Sequence, residues 1–497
     1  MQLNSKAYLS ALVSKIKTWV LANWPILLVL IVAFAVRLYF INVNHAVWWD
    51  EAQHLLLAKH YVYGTPTEGW FEGRSPIFAL MMAPLFYIFG KSELPVRFLI
   101  VLMSTAMVYL TYLIGKKMYN WKVGIFAATL FIFFWEVMFT TFRILLDLPA
   151  AFFLLLSLYF FLVYFGENKI KPLILCGFFL VIATLMRFDN GFMALTYLIV
   201  LAVTKRFKSA FLLIAVAFIT ITPQFIYDFL KYGSPLHSML MFASPMNIAV
   251  ISRYYPLTTY LQGFYNMFGW ILFPLFALGL AYAVIKIKKV NMLLLLLPIT
   301  TFFILFSVAI VGEPRFFVRI FPLIFILSGA SFYAILNKVS QKIKFNNAKI
   351  LSLIYFTVAI VVMVTQLHTS VLNINAKADS YVEVKEGAFW LKEHTLPDEN
   401  VMSNAAPFIS YYAERQDVGL LKANESEFLE SLTQNNVRYI LVSGYELRST
   451  DPAYIAALPS QSYLEMVNVI NLRNTDKGAV FIFEVNQTLL KSEIRQF

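Results

Sequence analysis

The sequence predicts a polytopic α-helical membrane protein of about eleven spans followed by a water-soluble α/β domain. Three observations carry this: the apolar share of the chain, its arrangement in blocks of spanning length, and a charge balance that reverses near residue 369. Of 497 residues, 60% are apolar and only 14% charged, and the mean hydropathy is +0.70. A soluble domain has no way to bury that much apolar surface.

The apolar residues recur in blocks close to the roughly 20 needed to cross a hydrocarbon core of about 30 Å. Spans are expected near 19–41, 97–115, 123–141, 148–165, 172–186, 191–204, 209–228, 263–285, 291–310, 318–336 and 350–367. A further apolar stretch, 77–89, is short and contains Pro84, and counting it as a crossing would turn Lys116, Lys117 and Lys122 to the outer side. It is read as a juxtamembrane or re-entrant helix. Ala33-Phe34-Ala35 has the form of a signal-peptide cleavage site, but Arg37 and a further apolar run favour an uncleaved anchor.

Charge sets the expected orientation. The net charge is +12, yet residues 369–497 carry 17 acidic against 11 basic side chains, so the excess lies entirely in residues 1–368. With a cytoplasmic N-terminus, the connections on that side hold eighteen basic residues, among them Lys15, Lys116, Arg206, Lys286 and Lys342, against one acid, Glu167. The outer connections hold ten basic and nine acidic residues. This is the positive-inside asymmetry, and an odd number of spans then leaves residues 369–497 outside the cytoplasm. Topology accounts for the basic excess, and no basic stripe with interleaved aromatics is present, so nucleic acid is not an expected partner. The single cysteine, Cys176, sits in an apolar block and offers neither an intrachain disulfide nor a thiolate metal site.

Two domains are expected. Residues 1–368 form the transmembrane domain, with a first outer loop at 42–96 carrying juxtamembrane helices and a second at 229–262; residues 369–497 form the α/β domain. In the latter, 381–394 and 424–435 read as helices and 437–443 and 479–485 as strands. The sequons at Asn424 and Asn486 agree with an outer location.

The first outer loop contains Trp48-Trp49-Asp50-Glu51, two adjacent carboxylates behind two tryptophans suited to the water–lipid interface. Two readings fit Asp50 equally. One is a general base made more basic by desolvation beside the indoles; the other is the N-cap of a helix that runs into Leu55–Leu57. His54 lies one turn on, either joining Asp50 and Glu51 around a divalent metal ion or standing as an ordinary exposed histidine. Arg143 and Asp147 sit four residues apart between long apolar runs, where charges require partners or a ligand; a structural ion pair is the plain alternative. Arg187, Asp189, Arg253, Arg315 and Arg319 also fall on the outer side. Guanidinium forks match phosphate oxygens, although phospholipid contact or salt bridging would account for each of them. Loop 229–262, with Tyr232, His237, Arg253, Tyr254 and Tyr255, is long for a plain connection and reads as a lid that orders on ligand binding.

Four motifs stand in order along residues 20–340: Trp49-Asp50-Glu51-Ala52, Gly73-Arg74-Ser75-Pro76, Arg143-Ile144-Leu145-Leu146-Asp147, and Pro314-Arg315-Phe316 leading to Pro322. In this order and topology the chain resembles the GT-C class of lipid-carrier-dependent glycosyltransferases, in particular the protein O-mannosyltransferase and aminoarabinose-transferase-like superfamily. It departs from the family pattern at Ser75 and Phe316, where proline and tyrosine are more usual. The resemblance implies a donor sugar on a polyprenyl phosphate, dolichyl or undecaprenyl, and inverting transfer to an acceptor hydroxyl at the outer face of a plasma or endoplasmic reticulum membrane. It implies Asp50 as the base, Asp147 and Glu51 as groups positioning acceptor or metal, and Arg74, Arg143 and Arg315 as holders of the donor phosphate; the guanidinium forks of Arg319 and Arg253, read from the residues alone, are added to that set. A divalent metal ion at Asp50, Glu51 and His54 is expected from their spacing and not from the resemblance; the acceptor, whether protein, lipid or glycan, is left open. Oligosaccharide transfer by the same class is the nearer alternative. A lipid-linked-sugar transporter is the more distant one, since the sequence lacks the inverted repeats and mid-membrane ionisable groups of transporters.

Overall fold

The structure is a computed structural model that describes residues 2–67, 73–242, 257–286, 288–308, 313–344, 347–420, 425–445, 456–473, 475 and 477–494. It divides into two compact units. A helical unit comprises Met1–Ile41, Arg97–Phe142 and Leu146–Ile374; a mixed unit comprises Asn42–Val96, Arg143–Leu145 and Asn375–Phe497. This partition differs from a boundary at 368/369, because the first loop clusters with the C-terminal sequence instead of with the spans.

The helices, in chain order, are α1 (Gln2–Tyr39), α2 (Trp49–Tyr63), α3 (Ile77–Phe89), α4 (Leu94–Met118), α5 (Trp121–Ile132), α6 (Trp135–Thr141), α7 (Asp147–Glu167), α8 (Ile170–Met186) and α9 (Met193–Val203). They continue with α10 (Phe207–Tyr232), α11 (His237–Phe242), α12 (Leu257–Ile285), α13 (Val290–Val308), α14 (Phe321–Lys342), α15 (Ala348–Ala376), α16 (Val382–His394), α17 (Glu425–Gln434) and α18 (Gln487–Ile494). Among the described residues, seven helices are long and apolar enough to cross a bilayer, and α5 with α6, bent by 62°, makes an eighth if the pair is one span. Eleven is reached only by adding the shorter apolar helices Ile170–Met186, Phe188–Val203 and Val290–Leu305. The thirteen-residue α3 is the stretch expected not to span.

Proline lies inside α1, α10, α12 and α13. Membrane helices tolerate it where neighbouring groups re-satisfy the freed carbonyls. Exposed Phe211, Phe218 and Ile219 give α10 an apolar outer face of the kind lipid covers. Within the unit, α4 and α5 approach at glycines. A Cβ on Gly115 would lie 2.9 Å from the Gly124 Cα, and one on Gly124 would lie 2.5 Å from the Tyr112 carbonyl oxygen. Small residues let backbones come this close in the absence of a hydrophobic drive between helices.

In the mixed unit, four strands, β1 (Val401–Ser403), β2 (Tyr439–Ser443), β3 (Leu464–Asn471) and β4 (Gly478–Val485), form one sheet of order β1-β2-β4-β3. β1 and β2 are parallel, while β4 runs antiparallel to both β2 and β3. Met402, Ile440, Val442 and Phe483 from the strands pack with Phe428 and Leu432 of α17 in one core. The expected helices and strands are α16, α17, β2 and β4. Missed are the short helix α18, β1, three residues long, and β3, an edge strand whose Glu465, Asn468 and Asn471 break the apolar alternation. Asn424 of the first sequon lies outside the described residues.

Gly124→Val is expected to force α4 and α5 apart. The measurement is thermal aggregation of the purified protein in detergent: a midpoint lowered by several degrees is predicted, whereas Gly90→Ala, where no atom stands within 4 Å, costs only the backbone strain of its positive φ.

Candidate active site

The helix carrying the first carboxylates begins at Trp49, and Glu51, at the third helical position, supplies the capping carboxylate. Its Oε2 accepts the Trp48 backbone N–H at 2.7 Å. The same oxygen takes Arg143 Nη1 at 3.2 Å, and Oε1 takes the Ile144 N–H at 2.6 Å. Glu51 is therefore wholly buried and engaged on both oxygens. Asp50, beside it in the first turn of α2, is half-buried. The N-cap reading of Asp50 does not describe this turn, since capping falls to Glu51.

Arg143, 1% exposed, also donates to the Ala46 carbonyl at 3.3 Å and the Lys377 carbonyl at 3.1 Å, and its guanidinium lies 4.1 Å from the Trp48 ring centroid. Such an arrangement ties backbone segments together and leaves the cation little surface for a ligand. His54 is buried edge-on against Phe78, 5.1 Å between centroids, and is not the exposed histidine of the alternative reading. Glu51 being engaged and His54 packed in this way, the trio Asp50, Glu51 and His54 does not fit a metal ligand set. Among the described residues no group of three or more His, Cys, Asp or Glu side chains stands where it could hold a metal ion. Arg74 lies half-buried in the loop that leads into α3.

Further along α2, Lys59 is buried with its Nζ 3.9 Å from the Tyr411 ring centroid and 5.8 Å from that of Phe86. Burial pushes its ammonium down to about 8, against the attraction of Glu93 and Glu414.

In the helical unit, Asp147 opens α7 and receives Arg187 Nη1 at 2.6 Å. Arg187 ends α8 and also meets Asp189 Oδ2 at 3.3 Å. Asp189 Oδ1 in turn receives Arg319 Nη1 at 2.6 Å, and Arg319 reaches the Asn190 side-chain oxygen at 2.7 Å. Two acids and two arginines thus alternate where the ends of α7 and α8 meet the turn before α14. Arg319 is 1% exposed, whereas the Arg187 side chain is 13% and Arg315 16% exposed. Arg315, on a 3₁₀ turn (Pro314–Phe317), pairs with Glu313, and the Arg187 guanidinium lies 4.4 Å from the Phe316 centroid. Arg319 also lines a small, largely apolar cavity with Leu154, Leu158, Met193, Phe302 and Leu323. Sequence reasoning named these arginines but not their pairing, which joins residues 40 and 130 positions apart. Arg253, Tyr254 and Tyr255 lie outside the described residues. The described start of loop 229–262 is fixed by Asp228, which accepts the Ser238 N–H at 3.0 Å and its hydroxyl at 2.8 Å.

Two predictions follow from burial. Glu51→Ala and Arg143→Ala should each destabilise the protein by about 3–5 kcal/mol, because each strands its charged partner; the double variant should cost less than the two together, as read from thermal unfolding. For Lys59, the unfolded chain titrates near 10.5 and the folded one near 8, so between those values the unfolded state binds the extra proton and stability rises with pH. Lys59→Met should abolish that rise and be the more stable form at pH 7, measured by unfolding midpoints from pH 7 to 10.5.

Residues 73–227 match the family model described as dolichyl-phosphate-mannose-protein mannosyltransferase. No curated protein sequence matches the chain. In structure, the chain is similar to ArnT from Cupriavidus metallidurans bound to undecaprenyl phosphate, with a TM-score of 0.68 at 13% identity over 93% of this chain and 98% of that one. It is also similar to the Archaeoglobus fulgidus oligosaccharyltransferase in complex with Zn and sulfate, with a TM-score of 0.60 at 13% identity over 84% of this chain and 68% of that one. The archaeal oligosaccharyltransferase AglB from Archaeoglobus fulgidus, in complex with an inhibitory peptide and a dolichol-phosphate, gives a TM-score of 0.59 at 13% identity over 86% of this chain and 70% of that one. At such identity the likeness speaks for the fold and not for the reaction. The chain is a multi-pass membrane protein of the GT-C fold.

Proposed function

We propose that the protein transfers a sugar from a polyprenyl phosphate to an acceptor hydroxyl at the outer membrane face, with inversion and with Asp50 as general base. The observation that carries this reading is the difference in exposure within the Trp-Trp-Asp-Glu turn: Glu51 is wholly buried, while Asp50 next to it in the first helical turn is half-buried and keeps contact with solvent. The ArnT structure contains undecaprenyl phosphate and the archaeal one a dolichol-phosphate, which supports a polyprenyl-phosphate donor. The mannosyltransferase family model supports monosaccharide transfer.

In the proposed reaction Asp50 takes the proton of the acceptor hydroxyl, and the oxygen attacks the sugar C1 from the face opposite the phosphate. The C1–O bond breaks, and the lipid phosphate leaves with the electron pair. Charge grows on that phosphate as the sugar carbon becomes oxocarbenium-like, so nearby cations lower the barrier. Arg315, Arg187 and Arg74 retain exposure and are the candidates to hold it. Arg143 and Arg319 support the framework in which they are buried, and Asp147 orients Arg187 through their ion pair.

The cytoplasmic N-terminus and outer C-terminal domain belong to the same proposal and rest on the charge asymmetry. Oligosaccharide transfer is the alternative that the archaeal likeness supports, and donor length decides between the two.

The test supplies the purified protein with radiolabelled undecaprenyl- and dolichyl-phosphate monosaccharides and lipid-linked oligosaccharides, with protein, lipid and glycan acceptors. Asp50→Asn should lower transfer by at least about 10²-fold with an unchanged unfolding midpoint. Transfer at the wild-type rate by that variant would refute the assignment.

A further inference from the structure

Each of the five residues before Asp50 is tied to another part of the mixed unit, four of them to residues 378–412. The His45 N–H donates to the Ala378 carbonyl at 3.0 Å, its carbonyl accepts Lys385 Nζ at 2.7 Å, and its ring meets Asp379 at 2.6 Å. The Ala46 carbonyl accepts from Arg143, and the Val47 N–H donates to the Tyr412 hydroxyl at 2.9 Å in a buried contact. Trp48 lies edge-on to Tyr381, 6.3 Å between centroids, and Trp49 to Phe408 at 6.1 Å. Tyr381 itself caps α16 with φ +68°, a left-handed backbone that a side chain with a Cβ rarely adopts. Stacking on Phe408 at 5.0 Å and packing on Tyr445 at 5.2 Å, whose hydroxyl donates to Glu383, hold it there. Strain kept in place by surrounding packing is a mark of functional sites.

We infer that Tyr381 and Tyr412 are positioning residues for Asp50, so that the C-terminal sequence sets where the base stands instead of being an appended module. The inference rests on the reading of Asp50 as the base. The far end of α2 is held separately, by Lys59 over Tyr411 and by the Tyr63 hydroxyl on the Phe86 carbonyl at 2.6 Å. A slip of residues 45–49 therefore moves the first turn, and the Asp50 carboxylate with it. A base must lie within hydrogen-bond reach of the proton it removes, and a misplacement of about 1 Å can cost on the order of 10²-fold in rate.

The experiment uses the full chain in nanodiscs. It combines transfer from the polyprenyl-phosphate monosaccharide that the wild type accepts, amide exchange of peptides covering 45–52, and the unfolding midpoint. Tyr381→Asn removes the ring while suiting the left-handed backbone. It should lower kcat by about 10- to 100-fold with donor KM within about twofold, raise exchange across 45–52, and leave the midpoint unchanged or higher. Tyr381→Phe should behave as wild type, and Tyr412→Phe, which deletes the acceptor of the Val47 N–H, should repeat the kcat loss and the faster exchange. Wild-type kcat in both Tyr381→Asn and Tyr412→Phe overturns the inference, as does a kcat loss that merely tracks a falling midpoint. Should Asp50→Asn transfer at the wild-type rate, the base assignment itself fails, whatever the exchange shows, and the positioning role falls with it.

Discussion

A carboxylate with no solvent exposure survives only where its oxygens are answered, and Glu51 is answered three times, by the Trp48 and Ile144 backbone N–H groups and by Arg143. That pair fixes much else. Arg143 passes the constraint to the Ala46 and Lys377 carbonyls, so segments 97 and 234 residues away in sequence are registered through one guanidinium. Removing either partner would strand a charge where water cannot reach it, which makes the arrangement all-or-none. The start of α2, and with it Asp50, depends on this pair being intact.

The helical unit solves a similar problem differently. Arginines on the expected outer side run against the positive-inside tendency, and the Asp147–Arg187–Asp189–Arg319 chain explains how they are tolerated: each cation is matched by a carboxylate, so the cluster is neutral as a whole. Neutral does not mean inert. The chain is sealed at Arg319 and partly open at Arg187, with Arg315 and Phe316 beside the open end. A cation already held in place by two acids is oriented in advance, which is the preorganisation that the proposed phosphate contact would draw on.

Much of this was legible in the residues. Apolar blocks of spanning length announced the membrane helices, and the shortness of 77–89 with its Pro84 set α3 apart. The Trp-Trp-Asp-Glu motif and the arginines expected on the outer side stood out as charges beside apolar runs, but their pairing was not legible. Asp50 and Glu51 are adjacent, of the same chemistry, and one methylene apart in size; nothing local says which will be capped, paired and buried. His54, one turn from two carboxylates, read either as a metal ligand or as an exposed histidine, and the rotation of α2 turned it onto Phe78 instead.

The sequence by itself determined the class of the molecule, because hydropathy, span length and charge bias are properties of consecutive residues and act before any long-range contact forms. Tertiary structure alone decided the grouping of the first loop with the C-terminal sheet, the pairing of each arginine, and the left-handed Tyr381. Those outcomes depend on contacts between residues tens to hundreds of positions apart, and burial in a low dielectric gives such contacts their strength only once the chain has brought them together.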